Sequence, residues 1–190
     1  MKEIQNYYYL YLNSDDNSDG LTNCKNINFN LASILQSAPN KQFIEDAAYC
    51  YVKLNYFALD VVPTTAIPAG NTTIQVRLGG TIFPNTFESS PPTATNNNLV
   101  SSNILAVIPT GKVDGTNFNN SFMYSNVDYD NGYIVMGNPF KGQLNIQLTD
   151  QDGTALDNGL TNNKSYNIKL ELYFPQDDQF IFNNNKNLLN

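Results

Sequence analysis

Leu144-Asn145-Ile146-Gln147-Leu148-Thr149 and Tyr166-Asn167-Ile168-Lys169-Leu170-Glu171-Leu172-Tyr173-Phe174 alternate apolar and polar residues, and Asp150-Gln151-Asp152-Gly153 follows the first run as a turn signal. Successive side chains of a strand point to opposite faces, so a period of two buries one face and wets the other. The same pattern recurs upstream. Tyr7 to Leu12 is dense in aromatics, which favour strands. Ile27, Phe29 and Leu31 alternate with Asn28 and Asn30, and Ile74, Val76 and Leu78 with Gln75, Arg77 and Gly79. In the long run Ala48–Leu59, Cys50, Val52 and Leu54 share a face opposite Tyr51, Lys53 and Asn55. Ile104 to Ile108 is continuously apolar, as for a strand covered on both faces. Phe122–Val127 and Tyr133–Met136 are two further strands, with the turn sequence Asp128–Gly132 between them.

Gly and Pro punctuate these runs at Pro63, Pro68, Gly79-Gly80, Pro91-Pro92, Pro109 and Pro139. Only Leu31–Ser37 and Asn40–Ala48 suit short helices. The pattern predicts an all-β fold: a single jelly-roll β-sandwich of about eight antiparallel strands in two sheets, one domain over residues 1–190. An immunoglobulin-type sandwich is the competitor, and it often builds its core on a Trp that this chain lacks. Residues 84–98 read as a long polar loop and residues 183–190 as a flexible tail.

Composition excludes more than it proposes. There is no His, so imidazole bases and His-containing zinc sites are closed. Ten basic residues against 17 acidic give a net charge of −7, with one Arg, Arg77. A phosphate-tracking groove or a polybasic membrane patch is not built from that balance. No apolar run is long enough to span a bilayer, and the six-residue run Tyr7–Leu12 is too short for a signal peptide. Two cysteines, Cys24 and Cys50, do not make a disulfide framework; whether they pair depends on the fold. Charged residues are only 14%, so the polar surface rests on amides and hydroxyls, with 31 Asn.

Asp15, Asn17, Asp19 and Gly20 match the opening of a calcium loop, but Asn26 stands where a bidentate Glu belongs and a strand precedes in place of a helix. A solvated turn between two strands explains the same residues. Asp128, Asp130 and Asn131, and Asp150 and Asp152, fit turns equally well. The four Glu residues and thirteen Asp form no evident acid pair, so no catalytic residue, metal or cofactor is assigned. Tyr8, Tyr49, Tyr51, Phe57 and Tyr173 fall opposite the core-facing residues, where a Tyr can meet a sugar or a protein partner.

Gly137-Asn138-Pro139-Phe140, the run from Leu144 to Gly153 and the closing run Tyr166–Phe174 resemble the final two strands of single jelly-roll penton and minor capsid proteins. These are coat proteins of large double-stranded DNA viruses of algae and protists, and of virophages. The Tyr-rich opening, Asn28-Phe29-Asn30-Leu31 and the strand through Cys50 and Leu54 are similar in order and texture. The resemblance implies a structural protein of the virion capsid, assembled in the host cytoplasm. It implies a homopentamer at the five-fold vertices, touching neighbouring capsid proteins but not nucleic acid, with no active site to transfer. A minor capsid or cement protein is the near alternative. A carbohydrate-binding sandwich, carried by exposed Tyr and the Asp15–Gly20 loop, is the alternative of another class.

Overall fold

A computed structural model describes residues 6–20, 25–59, 73–79, 82–83, 87–89, 99–101, 103–109, 122–125, 132–150, 153, 155–156 and 165–175. Its strands, in chain order, are β1 (Tyr7–Asn13), β2 (Asn26–Asn30), β3 (Tyr49–Leu59), β4 (Thr73–Gly79), β5 (Ile82–Phe83), β6 (Phe87–Ser89), β7 (Leu99–Ser101), β8 (Ile104–Pro109), β9 (Phe122–Ser125), β10 (Ile134–Gly137), β11 (Gln143–Thr149) and β12 (Tyr166–Tyr173). Helix α1 (Ala32–Leu35) and helix α2 (Lys41–Asp46) lie within the two stretches whose sequence suits helices.

One sheet runs β1-β12-β3-β10-β5, with β9 also paired to β3; the other runs β2-β11-β4-β8. Every pairing in these two sheets is antiparallel. The pairs nest: the first strand joins the last, the second joins the last but one, β3 joins β9 and β10, and β4 joins β8. A long hairpin wrapped into two facing sheets has this connectivity, so the fold is an all-β jelly roll. Inside the 84–98 stretch, Phe87–Ser89 forms a strand with Leu99–Ser101. The rest of that stretch, the tail 183–190, Cys24 and the 126–131 turn residues lie outside the described residues.

The alternation places the core. Ile146 and Leu148 of β11 pair with Leu78 and Val76 of β4, Leu144 with Phe29 of β2 and Ile74 with Ile108 of β8, all at most 3% exposed. Ile168, Leu170 and Leu172 face inward from the other sheet, and the buried side chains of both sheets form one cluster. Each such aliphatic contributes about 1.5–3 kcal/mol by leaving water. Cys50 lies in this core as a free thiol, and burial pushes its pKa up to about 12. No helix among the described residues is long and apolar enough to cross a membrane.

Three readings change where the period of two breaks. The register of β3 against β12 jumps at Lys169/Leu170, where Tyr56 and Leu54 become successive partners. Asn55 is the extra residue, so the phase inverts beyond it and Phe57, expected on the outer face, is fully buried. Tyr8 also faces inward, with Leu10 and Leu12, and its ring meets Phe174 edge-on at 5.8 Å. A second irregularity, at Val76/Arg77, lies between β4 and β8. Edge strand β8, expected to be covered on both faces, is open on one: Val107 is 48% exposed. Strands β9 and β10, on either side of the 128–132 turn sequence, pair with β3 and not with each other. Both run antiparallel to β3, along its Tyr56–Leu59 and Tyr49–Val52 lengths.

Candidate functional site

The Asp15–Gly20 connection is held by its own hydrogen bonds. Asn13 Oδ1 accepts from the Asp15 amide at 2.8 Å and Asn17 Oδ1 from the Asp19 amide at 3.0 Å. Asp19 Oδ2 accepts from both the backbone N and Nδ2 of Asn28, at 2.9 and 2.8 Å. Gly20 supplies the left-handed φ of 64°. Asn17 thus closes the loop on itself, while Ser18 and Asp19 fasten it to Asn28 of β2. Among the described residues no three His, Cys, Asp or Glu come together as a metal-binding group.

The outer face of β2-β11-β4 is an amide ladder. Asn145 Nδ2 donates to Asn26 Oδ1, Ile27 O and Asn28 Oδ1, and Asn145 Oδ1 accepts from Gln147 Nε2 at 2.9 Å. Arg77 spreads its fork over Gln75 Oε1, Thr149 Oγ1 and Asn103 Oδ1 at 2.6–3.1 Å. The sole Arg of the chain is spent on bridging neighbouring strands.

The outer face of the other sheet carries the candidate site. Strand β1 presents Tyr7, Tyr9 and Tyr11, which are 46%, 49% and 73% exposed. These are three of the five exposed large hydrophobics among the described residues. The pairing sets Tyr7 beside Tyr173, and their rings stack at 4.7 Å. Tyr173 leans on Tyr51 at 5.9 Å, and Tyr51 meets Tyr49 and Tyr133 edge-on at 6.0 and 6.5 Å. Tyrosines from β1, β3 and β12 and from the residue just before β10 are thereby in ring contact. Lys169 Nζ lies 4.7 Å from the Tyr9 ring centre and 5.2 Å from that of Tyr11. Such an exposed cation–π contact contributes about 0.5–1 kcal/mol.

Lys53 faces Glu171 across the β3–β12 pair and is only 4% exposed, its ammonium 5.6 Å from the Tyr133 ring centre. Glu171 accepts through Oε1 from the Tyr133 hydroxyl and through Oε2 from Asn55 Nδ2 at 3.0 Å. Burial, then the hydrogen bond and the negative charge of Glu171, hold the Tyr133 phenol above the ordinary tyrosine range. The bulge that turns Phe57 inward is what aims Asn55 at this carboxylate. Together these groups line a groove of about 1170 Å³.

Of the aromatics expected on an outer face, Tyr49, Tyr51 and Tyr173 are there and in mutual contact, while Tyr8 and Phe57 are not. The sequence pattern alone does not mark Tyr7, Tyr9, Tyr11, Lys53 and Tyr133 as site residues. The signal for the first three is their alternation against Leu10 and Leu12. For Lys53 and Tyr133 only pairing across strands reveals the neighbour.

Neither a protein-family model nor a curated protein matches the sequence. Among solved structures, the crystal structure of the mavirus penton protein is similar to this chain at 18% identity and a TM-score of 0.38. That match covers 55% of this chain and spans only 35% of the length of the other.

Proposed function

We propose that the protein is a structural shell protein: a jelly-roll capsid subunit, assembled as a homopentamer at the five-fold vertices of an icosahedral double-stranded DNA virus. The observation that carries this reading is a jelly roll whose outward side chains are committed to one another. On one sheet the amides of Asn26, Asn28, Asn145 and Gln147 are interlinked. On the other, Glu171 is engaged by Tyr133 and Asn55 while Lys169 covers Tyr9 and Tyr11. Catalysis needs an acid, base or nucleophile poised toward a reacting atom. A scaffold needs ordered faces, and an outer face rich in Tyr suits contact between subunits, as on β1, β3 and β12. The resemblance of Gly137–Phe174 to the closing strands of penton and minor capsid proteins supports the same reading.

In this role the partners are copies of the same chain and the adjoining coat proteins, and the place of action is the virion, after assembly in the host cytoplasm. A closed ring joins two different patches of each subunit, so it forms by rotation alone. The test is the native mass by light scattering, with and without a calcium chelator. The expected result is a particle of five chains that the chelator leaves intact. A mass that depends on calcium, or a closed ring of another number, overturns the vertex placement. A chain that stays monomeric and fails to enter shells reconstituted with the other coat proteins overturns the shell role.

A further inference from the structure

We propose that the groove on the outer face of β1, β12 and β3 binds an extended neutral oligosaccharide, of the β-1,4-linked kind whose pyranose rings present flat C–H faces. The inference goes beyond the shell role and gives the particle an attachment function. Its floor exists because two short strands flank one place on β3. Ser125 pairs with Tyr56 and Ile134 with Val52, so Lys53 to Asn55 fall between the partners of β9 and β10. The resulting space of about 1170 Å³ is of ligand size.

The lining selects the ligand. Tyr7, Tyr9 and Tyr11 form a row of exposed rings on alternate residues of one strand, about 7 Å apart. An extended chain of flat sugar rings can follow such a row along the strand. Tyr7 is stacked on Tyr173, and Lys169 lies over Tyr9 and Tyr11, so the rings are oriented before a ligand arrives. Lys53, Asn55 and Glu171 lie behind the rings, and the Glu171 carboxylate, which accepts from Tyr133 and Asn55, has further lone pairs for hydroxyl donors. Two lysines, Lys53 and Lys169, are offset by Asp16 and Glu171, so the groove favours a neutral ligand over an anion. The centre of a protein–protein contact is depleted in Lys, Glu and Asp, and here those residues line the groove. With only ten basic residues in the chain, a nucleic acid is the poorest fit.

The experiment is calorimetric titration of the full chain, in its native assembly state, with cellohexaose and with chitohexaose. At least one should bind in the presence of chelator. Replacing both exposed rings, Tyr9→Ala with Tyr11→Ala, should weaken binding by about tenfold or more. The loop variant Asp15→Ala with Asp19→Ala should bind as the parent does. In the unmutated protein the NMR signals of Tyr7, Tyr9, Tyr11 and Lys169 should shift on titration, which tests the site even if the double variant fails to fold. The proposal is overturned if neither hexasaccharide binds at millimolar concentration. It is equally overturned if the ring variant binds unchanged, or if binding is lost when calcium is removed or in the Asp15/Asp19 variant. A pentamer that binds no saccharide removes this site and leaves the shell role standing.

Discussion

Asn138 shows how much one buried amide can organise. It is 7% exposed, and its Nδ2 donates to Ile44 O at 2.6 Å and Ala47 O at 3.0 Å. Its Oδ1 accepts from the Phe140 amide, and its own backbone N donates to Ala48 O. One side chain thus closes the C-terminal end of α2 and starts the turn that carries Pro139 and Phe140 into the core. Asn138→Ala would leave two carbonyls and an amide without partners in a place water reaches poorly. We expect a loss of about 2–3 kcal/mol, read as a lower urea midpoint at unchanged slope. An unchanged midpoint would mean that water replaces the amide. Asn138-Pro139 stands out in the sequence as a lead-in to a strand, but its three partners come from 91 to 94 residues upstream and from the turn itself. Local spacing carries no record of them.

At the scale of the element, the strands follow the alternation until a bulge breaks it. Beyond Asn55 the faces of β3 exchange, which buries Phe57 and points Asn55 at Glu171. A bulge depends on the partner strand's register, so the one-dimensional pattern does not announce it. Gly79, at the end of β4, is a second element-level device. A Cβ there would overlap Asn145 Oδ1 and come within 2.8 Å of Asn145 Cγ. Asn145 would have to swing away from Asn26, Ile27 and Asn28, which its Nδ2 ties to β11. Gly79→Ala should therefore destabilise by about 1–3 kcal/mol. The pair Gly79→Ala with Asn145→Ala should cost less than the sum of the two single changes, as thermal melts of the four proteins would show. Strict additivity would rule out the close approach as the cause.

At the scale of the whole molecule, nested pairing joins residues far apart in the chain, with Tyr7 beside Tyr173 and Asn30 beside Gln143. The chain carries a net charge of −7, so a ring of copies repels itself unless the charges are screened. Raising salt from about 0.01 M to 0.15 M shortens the screening length from about 30 Å to 8 Å. The pentameric fraction seen by light scattering should rise with it. A fraction that falls would instead mean that ion pairs hold the subunits together. What the sequence by itself determined is the set of strands, most of their inward faces and the exclusion of imidazole chemistry. Those follow from side-chain period and composition, which are properties of short stretches. Only the tertiary structure decided which strands are neighbours, where the bulges fall, and that Tyr9, Lys53, Tyr133, Glu171 and Lys169 surround one groove. Register is set by burial of a whole face at once, and that collective condition belongs to the folded pair of sheets, not to any one segment.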